Sequence, residues 1–482
     1  MKRFAVTRTS RRAVEPALRN CALVLAVSVL AGCASLSDDG AAREVSTLTQ
    51  PRTGFGVAPE RNERDAQAGR EQVARLLSAP LTPDAAVQIA LLNNRGLQTS
   101  LAQLGVSEAD FVQAGRMRNP GFSFSRMRGG DEVEIERSVM FDLIGLLTIP
   151  LRSAIESGRF EGAKLSAASE AVRLAGETRR AYFNAVAAAQ TEKFMRQVVT
   201  SAEAGAQLAQ EQAKVGNWST LDRAREQAFY AEAMTQYARS RHAATAARER
   251  LVRLLGVWGA QLDVKLPDRL PDLPSQPSEA GALEALAMEQ RLDLQIARRD
   301  VEATARSLGL TEATGFINVL EAGYASKSST GAPRENGYEI SLELPIFDWG
   351  GARRARARAT YMMSVHRTAD IAIRARSEVR EAYSAYRTSY DVARHYRDEV
   401  VPLKKQISEE VLLRYNGMLA SVFELLADSR DQVRSVNGAI DAQRDFWIAE
   451  TELQAAINGS GGAVSQSMAP GANAGPAAAA EH

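Results

Sequence analysis

Two short ribbons of alternating residues limit the folds open to this chain more than any other feature. In "YEISLEL", Tyr338, Ile340, Leu342 and Leu344 alternate with Glu339, Ser341 and Glu343. A period of two sends successive side chains to opposite faces of a strand, so the segment has one greasy face and one wet face. An earlier segment repeats the pattern, with Val133, Ile135, Val139, Phe141 and Leu143 against Glu132, Glu134, Glu136, Ser138 and Asp142, and Arg137 interrupting the apolar set. Partner strands are predicted in "GFSFSRMR" (121–128) and "GFINVLEAGYAS" (315–326), which turn through Gly129-Gly130 and "KSSTGAPRENG". A two-faced soluble sheet would satisfy this pattern. In lipid, four strands cannot close a barrel, because spanning barrels need at least about eight and an open edge leaves its backbone groups unpaired. Several chains must then contribute.

Long helical blocks flank the ribbons. No proline occurs between Pro150 and Pro267, and only Pro402 interrupts the stretch from Pro345 to Pro470. Pro267, Pro271, Pro274 and Pro277 cluster in one linker. Within the blocks apolar residues recur at spacings of three and four, as in Phe194, Val198, Ala202, Ala206 and Ala209, or Ala372, Ala375, Val379, Ala382 and Tyr386. Periodic stretches much longer than about 25 residues suggest a coiled-coil-like array. Each block breaks once, at Gly216 to Ser219 and at Gly417 to Ser421. There glycine ends one helix in a left-handed conformation, and Ser219 with Asp222, or Ser421 with Glu424, caps the next. Each block is therefore predicted to be a helical hairpin. In the first, an arm over 152–215 spans roughly 95 Å and its return over 219–257 about 60 Å. A helix over 84–118, about 50 Å long, could stack end to end on the shorter arm and make up the difference.

The same order of features occurs twice. "AVQIALLNNRGLQ" (86–98) answers "ALEALAMEQRLDLQ" (282–295), "LLTIPL" (146–151) answers "LELPIF" (342–347), and Gly216 answers Gly417. This is an internal duplication whose period is too long for a solenoid. The chain then divides into a signal segment (1–32), a lipidated extended segment (33–80), a first repeat (81–266) with its β-hairpin (120–149), a proline-rich linker (267–280), a second repeat (281–458) with its β-hairpin (315–346), and a low-complexity disordered tail (459–482).

The N-terminus gives the compartment. Six basic residues precede the apolar run "CALVLAVSVLA" and small residues follow it, as in a secretory signal. Leu30-Ala31-Gly32-Cys33 resembles the bacterial lipobox, in which cleavage before the cysteine frees it for acylation, so Cys33 is the expected lipid-bearing first residue. Ala34, where an aspartate would favour inner-membrane retention, makes outer-membrane delivery the expectation. Removing six basic residues and one acid from totals of 59 and 58 leaves 53 and 57, a net charge of about −4. Nothing in that balance favours nucleic acid. Cys21 leaves with the leader and Cys33 carries the lipid, so no disulfide is expected. His242, His366, His395 and His482 are scattered, and no HExxH, CxxC or glycine-flanked nucleophile occurs. No enzymatic activity, metal or cofactor is expected beyond the covalent lipid.

From about Leu81 to Ile457 the chain resembles the TolC-type outer-membrane efflux channels, especially their lipoprotein branch. The resemblance lies in the paired segments "ALLNNRGLQ" and "AMEQRLDLQ", in "PIFDWGGARRARARA" (345–359) and in "YNGMLASVFELLADSRD" (415–431). It implies a homotrimer in which each chain gives four strands to a 12-stranded membrane β-barrel and two helical hairpins to a periplasmic α-barrel. It also implies that the helix tips recruit a periplasmic adaptor and an inner-membrane pump. The function so implied is a passive conduit from periplasm to exterior, gated at those tips.

At the tips Asp222 and Tyr415 match family positions that hold the closed aperture. Leu419 stands where relatives carry an arginine, and the carboxylates that ring their narrowest point align with Phe423 and Leu426. Glu424 and Asp428 are the nearest acids. Either Phe423 forms a hydrophobic constriction or it packs between helices. Glu132, Glu134, Glu136, Asp142, Glu339 and Glu343 are the candidate lumen-facing acids, whose field would favour cations; a solvated strand face would carry the same residues. The rival reading is an envelope-bracing lipoprotein or adaptor without a pore, although an adaptor would normally have one helical hairpin rather than two.

Overall fold

The computed structural model describes residues 36–262, 264–279, 281–313, 319–342 and 347–460. The leader, Cys33, Glu343 and the low-complexity tail from residue 461 lie outside them. In chain order the elements are α1 (Ala42–Thr53), α2 (Glu63–Leu77), α3 (Pro83–Asn93), α4 (Arg95–Ala114), β1 (Gly121–Gly129), β2 (Glu132–Asp142), α5 (Leu143–Lys214), α6 (Thr220–Leu255), α7 (Leu283–Gln290), α8 (Leu292–Ala313), β3 (Leu320–Ser329), β4 (Glu335–Leu342), α9 (Gly351–His395), a π-helical turn (Tyr396–Val400), α10 (Val401–Asn416) and α11 (Val422–Asn458). Among the described residues the chain is mostly helical with four strands, as its sequence predicts.

Three elements differ from expectation. The segment expected to be extended over 33–80 contains α1 and α2. In α1 the Thr49 and Thr53 hydroxyls donate to the Val45 and Thr49 carbonyls; Asn62 caps α2 by accepting from the Asp65 N–H. The single helix expected over 84–118 is two, broken at Asn94, whose backbone is extended. The long arm starts at Leu143, before Pro150 rather than after it, so Leu143 is helical and not part of the ribbon. A proline in its first turns removes an N–H and crowds a carbonyl. Here the Thr148 hydroxyl donates to Ile144 O, and the Arg152 guanidinium donates to Gly145 O.

The chain forms two compact units. One holds the sheet, antiparallel in the order β1-β2-β3-β4. Its pairings run one to one, from Gly121 opposite Met140 to Gly129 opposite Glu132, from Asp142 opposite Glu321 to Glu134 opposite Ser329, and from Leu320 opposite Leu342 to Lys327 opposite Glu335. No bulge interrupts the pairs, so parity along each strand decides the face.

The other unit is built from the long helices. Its aromatic cluster gathers Tyr386, Tyr390, Phe446 and Trp447. Phe183 of α5 stacks on Trp447 at 5.4 Å, tying the first repeat to the second. The proline-rich linker lies on this cluster: the Trp447 indole N–H and the Gln443 amide donate to Pro271 O, and Tyr390 OH donates to Ser275 O. Before Pro402 the helix widens into the π-helical turn, whose i to i+5 bonds accommodate the missing N–H.

The duplication is visible in one repeated joint. Asn94 separates α3 from α4 and Arg291 separates α7 from α8, with near-identical backbones (φ −68°, ψ 119° and φ −58°, ψ 121°). In each copy a glutamine bridges the break, Gln98 donating to Leu92 O and Gln295 to Glu289 O. In each copy the joint grips the C-terminal end of the returning arm. Asn93 and Asn94 amides donate to the Gly256 and Leu254 carbonyls, and the Arg291 guanidinium donates to Ala456 O. Gly256 caps α6 at φ +67°, and an added Cβ would lie 2.6 Å from Asn93 O, so both conformation and space require glycine there.

Candidate functional site

The sheet sorts its side chains by charge. Register places Glu132, Glu134, Glu136 and Asp142 of β2 on one face with Glu321 of β3 and Glu335 and Glu339 of β4. Lys327 is the one base among them, in an ion pair with Glu134. The opposite face carries no acid among the described residues. It presents Phe122, Val139, Tyr324 and Tyr338 in one row, Phe141, Ala322 and Ile340 in the next, and Leu320 with Leu342 in the third. Tyr338 is 92% exposed, Ile340 71% and Phe122 67%. A contiguous apolar surface of this kind marks contact with lipid or another chain. β1 and β4 are the outer strands of the sheet, and an unpaired edge is a template for a further strand.

Five of the six predicted lumen acids thus share one face, while Glu343 lies outside the described residues. Asp142 differs from the rest. Its Oδ1 accepts from the Gly145 N–H at 2.6 Å, so it caps the start of α5, and Oδ2 lies 3.9 Å from Arg118. Glu321 and Glu335 complete the acidic face and were missed. Glu335 lies in step with Glu339 and was readable from parity; Gly323 and the alanines around Glu321 blur its alternation.

The two tips are built alike but not identically. Gly216 ends α5 in the left-handed region (φ +79°), and the Asn217 N–H donates back to Gln212 O. Ser219 caps α6 by accepting from the Asp222 N–H, and its hydroxyl donates to the Asp222 carboxylate at 2.6 Å, with Arg225 3.7 Å from that carboxylate. At the second tip Gly417 is not left-handed (φ −82°). Met418 holds that conformation (φ +57°), because the Gly417 N–H still bonds to Leu413 O and the Leu419 N–H closes the end on Arg414 O. Gly216 therefore answers Met418, one residue beyond the glycine that sequence suggests. Ser421 and Glu424 form a reciprocal capping box at the start of α11.

Leu426 and Asp428 are buried within the chain. Both lie on the packed side of α11, and one Asp428 oxygen has no hydrogen-bond partner. Phe423 and Glu424 remain exposed and Tyr415 half-buried. The Arg225 guanidinium sits 5.0 Å over the Phe423 ring, a cation–π contact between α6 and α11.

Below the tips, Glu226 is buried with its carboxylate against Gly205 of α5, and burial raises its pKa, partly opposed by Arg430. Arg430 in turn caps the Phe229 ring at 5.4 Å and pairs with Glu232. Neither group was found from sequence, since a glutamate on a polar helix reads as solvated. At the second joint Arg291 is almost fully buried. Burial lowers its pKa, but bonds to Asp293 and Glu378, each 2.7 Å away, outweigh that and leave it raised.

Among the described residues no helix is long and apolar enough to cross a membrane. The sequence matches no protein-family model and no curated protein. Among solved structures it is similar to a membrane protein from Pseudomonas aeruginosa, at 20% identity and TM-score 0.67 over 80% of this chain and 92% of that one. It is also similar to CusC, described for the folding and formation of a transmembrane channel, at 18% identity and TM-score 0.65 over 81% and 92%. The Campylobacter jejuni CmeC outer membrane channel matches at 16% identity and TM-score 0.64 over 82% and 86%. The chain has the TolC-type channel fold.

Proposed function

We propose that the chain is the outer-membrane channel subunit of a tripartite export system, a passive conduit from periplasm to exterior and not an enzyme. The observation that carries this is the sheet: one acidic face, an opposite face with a contiguous exposed apolar surface, and two outer strands, with the four described strands too few to enclose anything. Three copies joined β4 to β1 make a 12-stranded barrel with the acids inside and the aromatic face in lipid. Acylation at Cys33 tethers each copy to the leaflet that its strands help cross, concentrating protomers before they close. The helix tips recruit a periplasmic adaptor and an inner-membrane pump, whose energy drives transport. At the aperture, the exposed Phe423 makes an apolar constriction that multivalent cations block only weakly.

The decisive experiment is size and conductance of the purified protein. A trimer of roughly 150 kDa, from a 52.2 kDa chain, that needs detergent and conducts cations in planar bilayers supports the reading. A water-soluble monomer after Cys33→Ser would replace it with an envelope brace or adaptor. Tight submillimolar block by a trivalent cation that survives loss of Glu424 and Asp428 would refute the apolar constriction.

A further inference from the structure

The lipid-side face of the sheet is not apolar throughout. The three rows from Val139 toward the helices hold only apolar and tyrosine side chains. The rows from Arg137 toward the hairpin turns change character abruptly. Phe124, Arg137, Ser326 and Asn336 make one row, Arg126, Ile135 and Ser328 the next, and Arg128 pairs with Val133 beside the turn. Arg334, just before β4, joins this region by donating from Nε to Ser326 Oγ at 2.8 Å. Four arginines therefore share the turn end of one face.

None of the four forms an ion pair with a carboxylate among the described residues, although seven acids lie one pleat away on the other face. The strand backbone separates the two sets. Arg137 lies over the Phe124 ring at 5.9 Å, which aligns a planar guanidinium along the face. A charge on a lipid-facing strand is costly at the bilayer centre and nearly free at the interface, so these residues locate the interface at the turn end.

We infer that the arginines at the turn end bind the phosphates of lipid A, the phosphorylated glycolipid of the outer leaflet of a bacterial outer membrane. The chemistry fits: guanidinium groups bind phosphate oxygens in pairs, and a row of them beside exposed aromatic rings offers phosphate recognition above and acyl contact below. The inference rests on the channel reading, because the turns face outward only if the helices lie in the periplasm.

The full-length protein, purified in detergent, is titrated with diphosphoryl lipid A, with its dephosphorylated form and with phosphatidylglycerol, and bound lipid is counted by native mass spectrometry. Diphosphoryl lipid A is expected to bind most tightly. The R126Q/R137Q/R334Q variant should lose affinity on the order of a hundredfold, at about tenfold or less per arginine, while R126K/R137K/R334K retains most of it. Equal binding of the dephosphorylated form overturns the inference without any variant, even if the glutamine variant fails to assemble. Equal binding of phosphatidylglycerol overturns the assignment to lipid A. A conducting trimer indifferent to lipid A defeats this inference alone, whereas a chain that never forms a membrane-inserted trimer defeats the channel reading as well.

Discussion

Neighbouring residues on β4 give the sharpest test of the barrel. Glu339 and Ile340 differ by one position and lie on opposite faces, Glu339 among the acids and Ile340 in the row of Phe141 and Ala322. Lysine at either position, in separate variants, puts the same side chain on opposite faces of the sheet. On the lipid face a lysine costs about 2–4 kcal/mol near the bilayer midplane. Three copies per assembly make that on the order of 6–12 kcal/mol, comparable to the whole stability of a domain. Ile340→Lys should therefore fail to insert, measured as loss of SDS-resistant trimer after refolding into phosphatidylcholine vesicles. Glu339→Lys should insert normally and shift the reversal potential in a salt gradient away from cations. Equal insertion of the two variants would refute the assignment of the faces, as would selective failure of Glu339→Lys.

Three further outcomes are expected. Met418→Gly removes a left-handed strain of roughly 1–2 kcal/mol and should raise the urea midpoint of the helical unit, whereas Gly417→Ala, at a position with ordinary backbone, should change it little. The raised pKa of Glu226 means that its protonated form stabilises the fold; that stability is fully present below the ordinary value of 4.5 and is lost as pH rises through the folded value. Glu226→Gln should thus match wild type in acid and exceed it in urea midpoint near neutrality. Asp293→Ala leaves the buried Arg291 short of one of its two carboxylates and should destabilise by about 3–5 kcal/mol in thermal unfolding.

What sequence revealed here was whatever depends on local parity or period. The greasy and wet faces of β2 and β4 follow from alternation alone, and the helical hairpins from proline-free runs with capping serines at Ser219 and Ser421. What it concealed depends on neighbours far along the chain. Asp142 counts as another acid on a ribbon until the start of α5 claims one of its oxygens. Leu143 continues the ribbon by parity, yet it opens a helix that runs on through Pro150. Asp428 and Glu226 look solvated because burial against another helix leaves no mark on the charge pattern. Gly417 drew the turn to itself on composition, yet the hydrogen-bond count closes one residue later.

The unbroken pairing of the sheet also bears on how this gene can vary. Nine pairs join β1 to β2, nine join β2 to β3 and eight join β3 to β4, each without an extra residue to take up slack. Losing or gaining a single codon inside a strand would exchange inside for outside along everything beyond it. Codons can leave those strands only in twos, so drift in length is pushed into the turns at Gly130 and Gly331, where no strand pairing has to be kept in step.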